Sequence, residues 1–222
     1  MRNSIKTEAE RLDQIYSILT GKYPNAALRL NFKTPLDLLI ASILAAQCKD
    51  ERVNKVTSFL FGKYKKAADY ASADVATFER EIGSIPMFRR KTRSIKTACE
   101  VLVAKHGGEV PDDIDALTSL KGVGRKTANL VLSSAFGKPA IVVDTHVMRV
   151  SSRLRLTIET EPDRIEQDLS RLLPRERWSQ LAHLFASLGR DVCKAPKPKC
   201  SACPVGQLCP SLTEARGDRI EP

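Results

Sequence analysis

The sequence predicts an all-α fold, on two observations. Apolar residues recur at helical spacing along most of the 222 residues, and only "AIVV" at 140–143 looks like a strand, in a run too short to seed a sheet. Glycine and proline punctuate the chain at 21–24, 107–111 and 137–139. We therefore expect helices packed in one or two bundles, with the break at "GKP" (137–139) as the preferred domain boundary.

The clearest helix start is "TPLDLLIASILAAQ", where Thr34 can cap, Pro35 suits the first turn and Asp37 completes a capping box. Apolar positions 39, 40, 43 and 44 then share one face. The same periodicity predicts helices near residues 8–20, 50–61, 72–82, 89–105, 113–120, 125–136, 145–155, 162–173 and 176–188.

The formal charge of +10 indicates a polyanionic partner. Nucleic acid is the leading candidate and an acidic membrane surface the second. No apolar stretch approaches the length of a spanning helix, and the start "MRNSIKTEAE" lacks the apolar core of a signal peptide. We therefore expect a cytoplasmic protein that does not associate with a membrane.

A very short turn, "KGVG" at 121–124, joins two of the predicted helices. Gly122 and Gly124 permit positive φ and a close approach of the backbone, while the N–H groups that open the second helix favour a phosphate. Lys121 and Arg125 flank the turn, and Val123 lies within it. The pattern predicts a helix-hairpin-helix motif that grips the DNA backbone, although a purely structural helix connection has the same glycines.

Two ionisable residues near this motif have both a chemical and a structural interpretation. Lys126 lies in the first turn of the second helix, where the helix dipole disfavours another positive charge. A neutral amine there is a nucleophile that forms Schiff bases, but a phosphate-binding lysine is the favoured alternative from the residues alone. Asp144 precedes a helical pattern, so it is an N-cap, a carboxylate that handles a proton or a developing positive charge, or both.

The six cysteines fall into two groups. Cys48 and Cys99 lie within helical patterns and are expected to be small core residues. The other four lie close together in the segment "CKAPKPKCSACPVGQLC" and are Cys193, Cys200, Cys203 and Cys209. In a reducing compartment such a cluster indicates a metal site before disulfides. The spacing C-x6-C-x2-C-x5-C departs from the paired C-x2-C units of zinc ribbons, and four thiolates can also ligate a [4Fe-4S] cluster.

The stretch "LKGVGRKTANLVLSSAFGKPAIVVDTHVMRV" closely resembles the helix-hairpin-helix glycosylase signature of the endonuclease III family. With the C-terminal cysteines the resemblance covers nearly the whole chain. Members remove oxidised pyrimidines from DNA and nick the resulting abasic site. The resemblance implies that Lys126 is the nucleophile and Asp144 the catalytic aspartate. Because the cysteine spacing matches the family's cluster loop, it also implies a [4Fe-4S] cofactor, with zinc or disulfides as alternatives.

The resemblance further implies an architecture and a mechanism. Residues 28–138 would form a helical domain carrying the hairpin, and residues 1–27 plus 139–222 a second one carrying the cluster loop, with a DNA-binding cleft between them. The damaged nucleotide is flipped out, Lys126 displaces its base, and β-elimination breaks the 3′ phosphodiester. The expected protein is thus a monomeric DNA glycosylase and abasic-site lyase of base excision repair, acting on damaged duplex DNA at the nucleoid.

The sequence leaves two alternatives, a mismatch-specific monofunctional glycosylase and a non-catalytic helix-hairpin-helix DNA-binding protein. Lys126 argues against the first, because relatives that only hydrolyse the glycosidic bond lack a lysine there. Lys126 and Asp144 together argue against the second.

Further DNA contacts are implied outside the hairpin. "ILAAQCKDERVNKVT" resembles the segment that fills the space of the flipped base, with Gln47 as the inserted side chain and Asp50 nearby. "IPMFRRKTRSIK" resembles the loop that wedges an apolar side chain into the duplex, with Met87 where Leu is frequent. The structural alternative for Gln47 is a polar residue at a helix end.

Charged residues near these segments are open to two interpretations. His146 is a candidate phosphate contact or a structural histidine. Lys121 stands where many relatives carry proline and adds charge to the hairpin. A basic run suits phosphates but also a solvated helix face, and it consists of Arg89, Arg90, Lys91, Arg93 and Lys96.

Overall fold

The computed structural model describes the backbone of residues 2–215 and the side chains of residues 7–212. Every regular element within this part of the chain is a helix, so the predicted all-α class is confirmed. The α-helices are α1 (Arg2–Lys22), α2 (Pro35–Ala45), α3 (Asp50–Lys63), α4 (Ala67–Ser72), α5 (Val75–Glu81), α6 (Phe88–Lys105), α7 (Ile114–Ser119), α8 (Arg125–Phe136), α9 (Thr145–Arg153), α10 (Pro162–Leu172), α11 (Trp178–Asp191) and α12 (Pro210–Ala215). Single 3₁₀ turns occur at Arg175–Arg177, Cys200–Ala202 and Gly206–Leu208.

Local sequence signals account for several of these helices. The capping box of α2 is present, with the Thr34 hydroxyl accepting from the Asp37 amide and the Asp37 carboxylate accepting from the Thr34 amide. The segment predicted as one helix over 72–82 instead holds the end of α4, a break, and α5, which starts at the Asp74 N-cap. "AIVV" is not a strand, and its residues Ile141 and Val143 are buried in a loop.

Residues Arg29–Lys138 form one compact unit, which contains α2 to α8. Helix α2 is apolar on all sides and packs against α3, α6 and α8, as expected of a helix at the centre of a bundle. Tyr64, Tyr70 and Phe78 add an aromatic cluster, with the two tyrosine rings stacked at 4.9 Å. The second helix of the hairpin, α8, therefore rests directly on the buried core of this unit.

The described residues before Arg29 and after Lys138 form the other unit, which contains α1 and α9 to α12. Helix α11 is central here, because α9 and α1 both pack against it. The domain limits and the cleft that the sequence predicts stay predictions. Within the described chain, each helix is too short or too polar to cross a membrane.

Candidate active site and nucleic-acid interface

The turn of the hairpin is built around Gly122. Its φ of +84° lies in the region that favours glycine, and a Cβ at this position would be 2.8 Å from the Cβ of Ser94 on α6. Gly124 differs, since its φ of −93° suits any residue and a Cβ there would meet nothing within 4 Å. The prediction of positive φ is therefore right for Gly122 and wrong for Gly124.

Helix α8 begins without a side-chain cap. Gly124 is its N-cap residue and supplies no side-chain acceptor to the amides of the first turn. Val123 is buried and donates its N–H to the Leu120 carbonyl at 3.1 Å, which closes the turn. The side chains of Lys121 and Arg125 are exposed on either side. The helix start thus combines backbone N–H donors, a positive dipole end and basic side chains, which is a suitable site for a phosphate.

Lys126 is the second residue of α8, and its side chain is exposed. Directly behind it, Ala128, Val131 and Leu132 are buried and anchor the helix. The amine is therefore carried by the first turn of an anchored helix, the same turn that opens toward the phosphate site.

Asp144 is the N-cap of α9, so its structural interpretation is confirmed. Its Oδ1 accepts hydrogen bonds from the amides of His146 and Val147, both at 2.8 Å. The buried Val143 precedes it and holds the loop against the core. Because both bonds use Oδ1, the carboxylate is oriented while Oδ2 remains available to a proton or a ligand.

His146 packs closely against α11. A Cβ at Gly189 would lie 2.8 Å from the His146 Cβ, so only glycine allows this approach. Arg149 places Nη2 3.0 Å from His146 Nδ1 and donates to the Gly189 carbonyl at the same distance. Burial lowers the pKa of His146, and Arg190 and Arg149 lower it further against the opposing effect of Asp144. A neutral imidazole fits the structural interpretation, and a DNA contact stays a prediction.

Gln47 and Met87 both lie in exposed turns with positive φ. Gln47 follows α2 with φ +54°, and Met87 is the N-cap of α6 with φ +57°. A non-glycine residue in this conformation costs about 1–2 kcal/mol, and such strain gathers at functional sites. Asp50, the first residue of α3, is half-buried at a helix start that favours a carboxylate. Both residues predicted to insert into DNA thus lie at strained, exposed turns.

The basic run of α6 divides into two groups. Arg89, Arg90 and Arg93 are exposed and suited to phosphates. Lys91 is only 4% exposed and donates from Nζ to two carbonyls at the end of α2, and Lys96 does the same at the end of α4. The prediction of phosphate contact is therefore wrong for these two lysines, because their ammonium groups bind backbone carbonyls.

Sequence comparison matches the part of the chain that holds these site residues to a known protein family. The family described as HhH-GPD superfamily base excision DNA repair protein matches residues 40–175, which include the hairpin, Lys126 and Asp144. Endonuclease III of Synechocystis sp. is 46% identical over 206 residues, which are 92% of this chain and 94% of that protein. The chain belongs to the endonuclease III family.

Solved structures of endonuclease III have the same fold. A non-covalent endonuclease III–DNA complex superposes with a TM-score of 0.89 at 41% identity, covering 94% of this chain and 98% of that one. A trapped endonuclease III–DNA covalent intermediate gives 0.88 at 42% identity with the same coverage.

The four C-terminal cysteines surround one cavity of about 250 Å³. Most of the other residues that line it are apolar, including Val150, Leu188 and Val205, and Arg153 and Ser211 are the polar ones. Burial raises the pKa of Cys203 and Cys209, and the neighbouring thiols raise it further. Among the described residues no three His, Cys, Asp or Glu are arranged around a single metal ion. Four sulfur donors around an apolar cavity fit the iron–sulfur cluster expected of an endonuclease III family member.

Two arginines of α9 bind the backbone around this cavity. Arg149 donates to the Cys193 carbonyl at 2.8 Å, and Arg153 donates to the Lys194 carbonyl at 2.9 Å and lies 3.3 Å from the Cys193 sulfur. The helix that Asp144 caps therefore also binds the first cysteine of the loop.

The two isolated cysteines behave differently from each other. Cys99 is fully buried in α6, and burial raises its pKa to about 12, as predicted for a core residue. Cys48 lies half-buried in the turn after α2, so its assignment to a helical core was wrong.

Sequence reasoning missed the residues that position others, above all Lys91, Arg149 and Gly189. Their roles depend on distant partners, and nothing in their local sequence distinguishes them from surface arginines and lysines or a helix glycine. Ser94 is a partial exception, because a small residue is required wherever a turn approaches a helix as closely as Gly122 does.

Proposed function

We propose that this member of the endonuclease III family removes oxidised pyrimidines from duplex DNA and then cleaves the strand at the abasic site. It is a base excision repair DNA glycosylase with abasic-site lyase activity. The observation that carries the mechanism is an exposed Lys126 one residue into a helix whose uncapped start suits a phosphate.

The hairpin would bind the DNA backbone. The amides that open α8 donate to a phosphate, and Lys121 and Arg125 add positive charge on either side. Arg89, Arg90 and Arg93 extend the basic surface along α6. Such contacts carry no base specificity, so they position the enzyme anywhere on the duplex.

Gln47 and Met87 would hold the damaged nucleotide outside the stack. The sugar carbon C1′ is out of reach within a duplex, so the nucleotide has to be flipped out. An apolar side chain such as Met87 unstacks adjacent bases, and Gln47 carries amide groups that replace lost base-pairing hydrogen bonds. Both side chains are exposed at turns and are thus free to enter DNA.

Lys126 would then perform the covalent step. Its neutral Nζ attacks C1′ and forms a C–N bond as the bond between C1′ and the base breaks, and the base leaves with the electron pair and gains a proton. Asp144 Oδ2 accepts the proton lost from Nζ, while its Oδ1 remains bound to the α9 amides.

The sugar opens to a Schiff base between Nζ and C1′. This iminium acidifies the C2′ proton, whose removal drives the electrons toward C3′. The C3′–O bond then breaks, and the 3′ phosphate leaves. Water releases the unsaturated sugar from Lys126, so glycosylase and lyase steps share one nucleophile.

The two alternatives are not favoured. A monofunctional mismatch glycosylase has no need of an amine at position 126, and a protein that only binds DNA has no need of Asp144 beyond its cap.

We also propose that the enzyme acts as a monomer, because one hairpin and one lysine suffice for one lesion. We propose that it acts in the cytoplasm, at the nucleoid.

We propose that Cys193, Cys200, Cys203 and Cys209 hold a [4Fe-4S] cluster. When bound, the cluster would organise a tail that has little core of its own. A broad visible absorption of the purified protein, lost in Cys203→Ser, is expected. A colourless protein with bound zinc would refute the cluster.

The decisive test of the mechanism is borohydride trapping on duplex DNA that contains thymine glycol. Borohydride reduces a Schiff base to a stable bond, so the wild type should form a covalent adduct and Lys126→Gln none. Lys121→Gln, an exposed lysine of the same hairpin, is the matched control and should still be trapped. An adduct of unchanged yield with Lys126→Gln would remove the nucleophile from this position.

A further inference from the structure

Lys91 binds both of the turns that carry the inserting side chains. Its Nζ donates to the Leu44 carbonyl at 2.8 Å and to the Ala46 carbonyl at 2.6 Å, directly before Gln47. Its backbone N–H donates to the Met87 carbonyl at 3.0 Å, which is the first backbone bond of α6 and places the Lys91 side chain one turn after Met87. One residue therefore contacts the backbone of two segments that are 40 positions apart.

A second contact joins the same two segments. Arg52, near the start of α3, places Nη1 3.3 Å from the Ser84 carbonyl in the loop that leads to Met87. The turn of Gln47 is thus bound to the Met87 loop on both of its flanks, through Lys91 before it and through Arg52 after it.

Burying the charged side chain of Lys91 does not by itself favour the stability of the fold. Desolvation lowers the pKa of Lys91, and no Asp or Glu of the described chain offsets it. Carbonyls at a helix C-terminus favour a cation, but a methionine would fill similar space without burying a charge. The ammonium group of Lys91 donates directed hydrogen bonds to the last carbonyls of α2, next to Gln47, which is held at positive φ.

Strained turns persist only where the surrounding structure holds them. Gln47 and Met87 are two of the three non-glycine residues with positive φ in the described chain. The Lys91 side chain is carried by the first turn of the helix that follows Met87, and its Nζ donates to the carbonyl before Gln47. We propose that Lys91 is a positioning residue, which fixes the Gln47 and Met87 turns in one arrangement so that both side chains enter the duplex together. This inference rests on the proposed function of the two turns.

Lys96 provides a matched control on the same helix. It is five residues further along α6, and its Nζ likewise donates to two carbonyls, those of Ala71 and Ala73, both at 2.6 Å. Those carbonyls end α4, which carries none of the proposed DNA contacts. Lys91→Met and Lys96→Met therefore remove the same kind of interaction, one beside the inserting turns and one away from them.

Amide hydrogen exchange of the protein alone tests the contact itself. Lys91→Met should increase exchange at 46–49 and in the first turn of α6, at 88–91, together, because the lost side-chain bonds join these two segments. Lys96→Met should instead increase exchange near 71–74. Faster exchange at only one of the two turns in Lys91→Met would overturn the proposal. Should Lys91→Met not fold, Lys91→Arg replaces it. The bulkier guanidinium should increase exchange at both turns. An increase at one turn alone would overturn the proposal.

Activity measurements test the consequence for DNA. In Lys91→Met, single-turnover base removal from duplex DNA should fall about 10- to 100-fold, the size of effect expected from a misplaced positioning group. The fluorescence of a 2-aminopurine opposite a tetrahydrofuran abasic analogue, which rises on unstacking, should rise less with this variant than with the wild type. Cleavage of an abasic site in single-stranded DNA needs no displaced partner base and should stay within about twofold.

The outcomes separate this inference from the proposed function. Equal losses in Lys91→Met and Lys96→Met would overturn the inference, because they would reflect stability alone. Gln47→Ala and Met87→Ala should reproduce the fluorescence defect. If both variants match the wild type, the insertion step fails and takes the role of Lys91 with it, while loss of trapping in Lys126→Gln would still support the nucleophile.

Discussion

Helices α8 and α9 begin in opposite ways. Helix α8 starts at Gly124 with no side-chain cap, whereas α9 starts at Asp144, whose Oδ1 accepts from two amides at 2.8 Å. Lys126 follows the uncapped start of α8, whereas Asp144, the carboxylate we propose to be catalytic, is itself the N-cap of α9. An uncapped start keeps its donors for a ligand, while a capped start uses them to hold a side chain still.

The largest expected effect separates capping from chemistry at Asp144. Asparagine caps as well as aspartate, so Asp144→Asn should keep the free energy of unfolding within about 0.5 kcal/mol of the wild type. It replaces Oδ2 by an amide that accepts no proton, so base removal should slow by about 10²- to 10⁴-fold. Single-turnover kinetics and thermal unfolding on the same preparation measure both.

Asp144→Ala is the companion variant. It loses the cap as well as the carboxylate, which should cost about 1 kcal/mol of stability in addition to the lost rate. If Asp144→Asn retained the wild-type rate, Asp144 would be a cap and nothing more.

A smaller effect is expected when the uncapped start is given a cap. A Cβ at Gly124 meets nothing within 4 Å and its φ is ordinary, so Gly124→Asp should cap α8 and raise stability by about a few tenths of a kcal/mol. The new carboxylate would occupy the amides and repel a phosphate, so affinity for duplex DNA should fall about tenfold or more.

Gly124→Asn occupies the same amides without charge and should show an intermediate loss of affinity. Fluorescence anisotropy at one fixed salt concentration compares the three proteins. Wild-type affinity in Gly124→Asp would mean that the start of α8 is not where a phosphate binds.

Local patterns predicted the elements whose stability is local. The α8 bounds, residues 125–136, agree with the periodicity, and the Thr34–Asp37 capping box is present as predicted. Gly122 was also predictable, since a two-helix turn this short requires positive φ. These features depend on residues within about one helical turn of each other, which a sequence displays directly.

Features that depend on distant partners were not predictable. The six-residue α4 is too short for a periodic signal, and its C-terminal carbonyls are bound by Lys96 from another helix. Lys91 looks like any lysine of a basic run until α2 is packed beside it. The roles of Lys126 and the other site residues stay predictions, because they need DNA to be observed.

The second unit is assembled from both ends of the chain, and this affects its folding during synthesis. The apolar face of α1, with Leu12, Ile15 and Leu19, packs in a core that includes Leu184 and Leu188 of α11. Those partners leave the ribosome only after the whole contiguous unit of α2–α8 has been made. A nascent chain therefore carries a complete hairpin while α1 still lacks its packing partner. The order of synthesis makes Asp144 part of the unit that is completed last.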